Sequence, residues 1–282
     1  MTLVSALGEL KKAQQGGYAV PCFDTFEMQG TRGIFAALES RRAPGIIGLY
    51  TRLLDEPHGR ALTQFVRVMA EEATVPVSIM LDHGASFEHC VRALTFGFTD
   101  VMYDGSKLSL EENVAATRQI VQAAHAVGAA VEAELGHVGS GSEYQEFGGR
   151  GQGFTDPAAV ERFVAETGVD ALAVAIGTAH GQYAGEPRLD LALLDEIRRR
   201  VEIPLVLHGG SGLSDAQFQA AIRGGVAKIN IFTNLALEAT RRVAQRAAQE
   251  RPSFGDITEP IREAFQDECA RFLDVFLASG RS

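Results

Sequence analysis

Three of the chain's seven histidines stand beside glycine at or just past the end of an apolar run. They are His83 in 81-LDHG-84, His180 in 177-GTAHG-181 and His208 in 208-HGGSG-212. Neutral imidazoles converging from separate strands can hold Zn²⁺ with one coordination position left open. Carboxylates follow the same placement: Asp24, Asp82, Asp104 and Glu132/Glu134 fall where apolar runs end. Asp104 and Glu134 could add oxygen ligands, and a carboxyl beside a metal can move a proton to or from a substrate oxygen. The remaining histidines read differently. His58, His89 and His125 open or lie within helical patterns and are expected to be structural or solvated, whereas His137 follows the fifth run and could approach the site.

A second group is glycine-rich: 177-GTAHG-181, 208-HGGSG-212 and 228-KINIFTN-234. Gly209, Gly210 and Ser211 would let backbone N–H groups approach an anion closely, and Asn230 and Thr233 would add side-chain donors. A third feature is 137-HVGSGSEYQEFGGRGQGFTD-156, which holds Glu143, Tyr144, Glu146 and Arg150. It is too long for an ordinary connection and is expected to be a mobile active-site loop.

These residues must be positioned by something, and the sequence has a rhythm that could do it. Apolar runs at 18–24, 44–50, 76–82, 100–105, 129–136, 170–177, 204–210 and 226–233 alternate with amphipathic stretches. The stretches are Glu27–Arg41, Pro57–Glu72, Ser86–Phe96, Leu110–Val127, Pro157–Thr167, Leu191–Arg200, Asp215–Ile222 and Leu235–Gln249, with a last helix at Glu259–Ala278. Ser86, Ser109, Asp156, Asp190 and Ser214 are N-cap residues at their starts. Gly97, Gly128, Gly168 and Gly224 are stop signals at their ends. Strand–helix alternation implies parallel βαβ units, and eight of them imply an α/β fold of the (β/α)8 TIM-barrel type. An open doubly wound sheet is the alternative, but no GxGxxG follows the first strand. The expected organisation is one domain over 1–282 with extra terminal helices, including a C-terminal extension over 250–282. A barrel places its active site at the C-terminal ends of its strands, where the polar residues above fall, and often a phosphate site after strands seven and eight.

Composition excludes other classes. The net charge is −10, with no basic block, so binding to nucleic acid or an anionic membrane surface is not expected. No apolar run is long enough to span a bilayer. The N-terminal stretch lacks the order of a signal peptide and reads as an amphipathic helix. The three cysteines, Cys22, Cys90 and Cys269, are too few and too scattered for a disulfide framework, which fits a reducing cytoplasm.

The stretches 81-LDHG-84, 102-MYDGS-106, 132-EAELG-136, 174-VAIGTAHG-181, 205-LVLHGGSG-212 and 228-KIN-230 together resemble the class II, zinc-dependent ketose-bisphosphate aldolases, which include the fructose- and tagatose-bisphosphate aldolases. The resemblance runs from Val4 to Arg251. It implies reversible aldol cleavage of a ketose (bis)phosphate to dihydroxyacetone phosphate and an aldehyde, by way of a metal-stabilised enediolate. By the same resemblance His83, His180 and His208 hold the catalytic zinc, and Glu134 and Asp104 bind a second or alternative divalent metal. Asp82 is the acid that protonates the aldehyde oxygen in condensation. Gly181, Gly209, Gly210, Ser211, Asn230, Phe232 and Thr233 handle dihydroxyacetone phosphate, with a monovalent cation (Na⁺ or K⁺) nearby. The implied assembly is a homodimer or homotetramer.

Three departures fall where substrate is handled. Asp24 replaces the family's usual Asn, Tyr50-Thr51-Arg52 replaces Ser-Glu-Gly, and the loop reads Gly139-Ser140-Gly141-Ser142-Glu143 in place of Gly-Gly-x-Glu-Asp. Glu143 is therefore preferred to Glu146 as the deprotonating base, and Asp24 and Arg52 are candidate contacts to the aldehyde half. Lys228 is set aside as a Schiff-base former, since alternation leaves it deeper in the barrel than Asn230. Two other readings stand beside this one. A metal-dependent hydrolase on the same barrel would hydrolyse substrate without releasing aldehyde, but 20-VPCFD-24 lacks a His-x-His opening. A non-catalytic partner subunit of an aldolase would have no reason to keep the full metal set.

Overall fold

Eight parallel strands close into a barrel in the computed structural model, which describes residues 2–139, 153–183, 185 and 187–282. They are β1 (Val20–Asp24), β2 (Gly45–Tyr50), β3 (Val77–Gly84), β4 (Asp100–Tyr103), β5 (Ala130–Leu135), β6 (Ala171–Val174), β7 (Leu205–Leu207) and β8 (Val226–Ile231). Each pairs with its successor, and β8 returns to β1 through registers such as Cys22 with Asn230, so no sheet edge is left. Almost every strand residue is buried, as a sheet packed inside and out requires.

The helices sit where the amphipathic stretches fall: α2 (Met28–Arg41), α3 (Gly59–Glu72), α4 (Phe87–Phe96), α5 (Leu110–His125), α6 (Pro157–Thr167), α7 (Leu191–Arg198), α8 (Asp215–Arg223) and α9 (Thr233–Ala247) follow β1 to β8 in turn. All five expected cap residues accept hydrogen bonds from the first turn of their helices, and Ser109 and Ser214 form full capping boxes. One stop signal is displaced. Gly224 ends α8 with a right-handed backbone, and the left-handed residue is Gly225, φ 102°.

Two further helices complete the body. α1 (Ala6–Gly16) precedes β1 and is fixed through Asp100 at the start of β4, whose Oδ2 accepts the Ala6 N–H at 2.9 Å. α10 (Gly255–Val275) packs along α2 and α9, and the Phe276 carbonyl after it accepts the N–H of Ala19. Within 250–282, the last helix begins at Gly255 and packs into the helical layer. No helix among the described residues is long and apolar enough to cross a membrane.

Candidate active site

The strand ends at one barrel mouth open into a cavity of about 860 Å³. Its wall includes Asp24, Asp82, His83, Asp104, His180 and His208. The three histidines converge. His83 Nε2 lies 3.1 Å from His180 Nε2 and 3.2 Å from His208 Nδ1.

The opposite nitrogen of each ring is fixed by a different partner. His83 Nδ1 donates to Asp104 Oδ2 at 2.9 Å, His180 Nδ1 to the Val138 carbonyl at 3.1 Å, and His208 Nε2 to Glu132 Oε1 at 2.7 Å. With those positions carrying the protons, the converging nitrogens present lone pairs to one another. Three lone pairs this close repel unless a cation lies between them. The donor set and its carboxylate- or carbonyl-held rings thus fit a three-histidine zinc centre.

Without a metal ion, the surrounding charge draws a proton to His83 in its place. Burial disfavours the His83 imidazolium, but the charges of Asp82, Asp104 and Glu134 lift its pKa to about 10. The charges of Asp82 and Asp104 favour any cation held at this point. Burial, together with its two histidine neighbours, pushes His180 down to about 3. Burial also dominates at Glu134, which is raised to about 8. Its Oε1 accepts the Val138 N–H at 2.9 Å, while Oε2 is buried without a hydrogen-bond partner among the described residues. Ligand atoms of His83, Asp104 and Glu134 lie within 4.8 Å of one another, close enough to share an ion. In this arrangement, however, both Asp104 oxygens are engaged, Oδ2 by His83 and Oδ1 by the Ser106 N–H and hydroxyl.

Local backbone explains how two adjacent residues both reach the mouth. The pairing of β3 with β4 shifts register between Leu81 and Gly84, and His83 adopts φ 49°. A bulge with a left-handed non-glycine residue is costly, and such strain concentrates at functional sites. It turns Asp82 and His83 towards the cavity together. Asp82 is buried and accepts from Asn230 Nδ2 at 2.9 Å, which joins β3 to β8 across the site. Asp24 is buried beside it with Oδ1 unpartnered among the described residues. Burial, then the charge of Asp82, pushes the Asp24 carboxyl well above its usual range.

Gly181, Gly209, Gly210, Ser211, Asn230, Phe232 and Thr233 all line the cavity, on the β6–β8 side. Thr233 opens α9, whose first turn has no side-chain cap, although α8 next to it is capped by Ser214. The glycine segments and this free helix start leave backbone N–H groups available to an anion.

Other sequence-based expectations fare variously. His180 is not at a strand end: β6 stops at Val174, and the loop carrying His180 is held by its N–H to the Gly139 carbonyl at 2.8 Å. Tyr50 lines the cavity, its ring 6.1 Å from that of His83. Arg52 sits on a short 3-10 turn, Thr51–Leu54, and is not part of the cavity wall, whereas Thr51 is. His137 does reach the wall, with Nδ1 2.9 Å from the Ser106 hydroxyl. Glu143, like Tyr144, Glu146 and Arg150, lies outside the described residues. Just inside the ends of that segment, the His137 N–H meets the Gly153 carbonyl at 2.6 Å, so the chain leaves and rejoins the rim at one place.

Two residues gained roles that spacing had not assigned. Glu132 was legible only as a strand-end acid, yet it bridges His208 to Lys228, whose Nζ lies 2.8 and 3.0 Å from its two oxygens. Burial opposes both charges of this pair. Lys228 and His208 nevertheless hold Glu132 at about 2, and Glu132 keeps the Lys228 ammonium charged, as its exclusion from Schiff-base chemistry requires. Tyr183, two residues past 177-GTAHG-181, is the other.

A closed parallel barrel with a three-imidazole, carboxylate-rimmed centre at its mouth defines a metal-dependent barrel enzyme. Comparison with known proteins fixes the family. Residues 4–281 match the family model for class II fructose-bisphosphate aldolase. A fructose-bisphosphate aldolase of Geobacillus stearothermophilus is 40% identical over 288 aligned residues, covering 100% of this chain and 99% of that protein. The crystal structure of the YdjI aldolase of Escherichia coli K12 superposes with a TM-score of 0.89 at 34% identity, covering 99% of both chains. A structure described as a putative fructose-1,6-bisphosphate aldolase, from Coccidioides immitis, gives the same TM-score at 30% identity, over 100% of this chain and 99% of that one. The chain belongs to the class II fructose-bisphosphate aldolase family, whose members are zinc-dependent carbon–carbon lyases.

Proposed function

We propose that this aldolase reversibly cleaves a ketose phosphate to dihydroxyacetone phosphate and an aldehyde, with Zn²⁺ held by His83, His180 and His208. The observation that carries the reading is the convergence of their three lone-pair nitrogens at 3.1–3.2 Å, each ring held from behind. Bound there, Zn²⁺ supplies a Lewis acid for the oxygen on which enediolate charge develops.

The chain's own groups do the rest. The glycine segments after β6 and β7 and the start of α9 bind the phosphate and anchor the ketone half. In cleavage, Asp82 takes the proton of the hydroxyl on the carbon that becomes the aldehyde, and the adjacent carbon–carbon bond breaks. In condensation it returns that proton to the aldehyde oxygen. The hydrogen bond from Asn230 orients the Asp82 carboxylate for both directions. Glu143 exchanges the proton at the hydroxymethyl carbon. Asp104 and Glu134 are the carboxylates for a second or alternative divalent metal, the phosphate segments take a monovalent cation, and the working form is a homodimer or homotetramer.

The test is a screen of phosphorylated ketoses for release of dihydroxyacetone phosphate, with and without Zn²⁺. Chelation is expected to abolish release, and zinc or cobalt to restore it. A His208→Ala protein with full metal content and full turnover would sink the assignment.

A further inference from the structure

Tyr183 joins the two glycine segments at the points where they touch. Its hydroxyl accepts the Ala179 N–H at 2.8 Å and donates to the Gly209 carbonyl at 2.6 Å. Ala179 belongs to the segment after β6 and Gly209 to the one after β7. The two backbones are in direct contact. A Cβ on Gly209 would lie 2.5 Å from the Ala179 oxygen, and Gly209 has φ 68°, so only glycine fits. The tyrosine ring packs on Gly212, three residues further along the same segment: a Cβ there would lie 2.8 Å from Tyr183 Cδ2.

We propose that Tyr183 is a positioning residue for phosphate, its hydroxyl setting the orientation of the peptide planes around Gly209 and so the aim of the N–H groups at Gly209–Ser211. The inference rests on the phosphate reading of these segments. A peptide unit is rigid, so a hydrogen bond at the Gly209 carbonyl also fixes the direction of the Gly210 N–H. The neighbouring zinc ligands have their own supports, Val138 for His180 and Glu132 for His208. Among the described residues, Tyr183 is the side chain that hydrogen-bonds to the Gly209–Ser211 backbone. Loss of the hydroxyl should therefore weaken phosphate binding while sparing the metal.

Tyr183→Phe removes only that oxygen and keeps the ring on Gly212. The measurements are KM and kcat for the ketose phosphate, the Ki of sn-glycerol 3-phosphate as competitor, and zinc content. The expected result is a roughly tenfold rise in KM and Ki, the scale of one or two net hydrogen bonds, with kcat and zinc content near wild type. Gly212→Ala, which displaces the ring and keeps the hydroxyl, should shift KM and Ki in the same direction. Unchanged KM and Ki in Tyr183→Phe, with wild type still inhibited, would overturn the inference and leave the phosphate site standing. A wild type indifferent to sn-glycerol 3-phosphate would overturn both. Loss of zinc from Tyr183→Phe would make the residue a support of the histidines and overturn the assignment to phosphate.

Discussion

His208 and Glu132 meet at 2.7 Å inside the barrel, both wholly buried side chains, with the imidazole N–H donating to the carboxylate. The bond decides which nitrogen of His208 faces the metal position. Lys228 on the far side of Glu132 keeps that carboxylate charged, and a charged acceptor makes the stronger hydrogen bond. Glu132→Gln should leave the barrel folded and weaken Zn²⁺ affinity by roughly 10- to 100-fold, the usual effect of removing such a support. Competition with a chelating dye measures it. Unaltered affinity would mean that His208 is oriented by packing alone.

Asp82 is the residue whose loss should separate chemistry from metal binding. Asp82→Ala is expected to lower kcat by about 10²–10⁴-fold, the scale of a positioned acid or base. Zinc content by atomic absorption should remain at the wild-type level. Concurrent loss of zinc would reassign Asp82 to orienting its neighbour His83.

Glu143 provides a test of enolisation apart from bond cleavage. Glu143→Ala should slow exchange of the hydroxymethyl proton of dihydroxyacetone phosphate with solvent deuterium, followed by NMR, at normal metal content. Unchanged exchange would move the role to Glu146.

Much of this was legible in the sequence because the elements obey local rules. Strands buried on both faces read as continuous apolar runs, and caps such as Ser109 and Ser214 name their helices. His83, His208 and Asp82 were legible because charge is rare in such runs. What was not legible depends on contacts between distant segments. Glu132 and Glu134 are chemically alike in the sequence, and only closure of the barrel shows that Glu132 faces Lys228, 96 residues away. Tyr183 carries no signal in itself, since its role lies in meeting Gly209. Arg52 stood out because it follows the second strand where the resembled family has smaller residues, but on the 3-10 turn after β2 it does not line the cavity, although Thr51 does.

The barrel floor carries a pH-dependent contact. Burial lifts Asp100 to about 6 from 3.8, although hydrogen bonds from Ser5, Thr99 and Ala6 pull the other way. A carboxyl with a higher pKa folded than unfolded stabilises the fold while protonated. That contribution is complete below 3.8 and is lost as pH rises through about 6. In urea titrations the advantage of wild type over Asp100→Asn should therefore shrink across this interval. An advantage that grows with pH would mean that the fold prefers the carboxylate.

Substrate range should follow Tyr50 more than Arg52. The Tyr50 ring stands 6.1 Å from that of His83 on the cavity wall, outside the β6–β8 segments proposed to bind phosphate. On the proposed reading the aldehyde half of the substrate lies on this side, and the ring narrows the space for it. Tyr50→Ala should raise kcat/KM for ketose phosphates with a bulkier or doubly phosphorylated aldehyde half, by about 10-fold if the gain resembles that from relieving one to two methylenes of crowding. Arg52→Ala should change the same ratios little, because Arg52 does not line the cavity. The comparison is kcat/KM on fructose and tagatose 1,6-bisphosphates against other ketose 1-phosphates, in wild type and both variants. A strong dependence on Arg52, with none on Tyr50, would show that the turn after β2 folds over the cavity when substrate binds, and that the charge at position 52 selects the aldehyde.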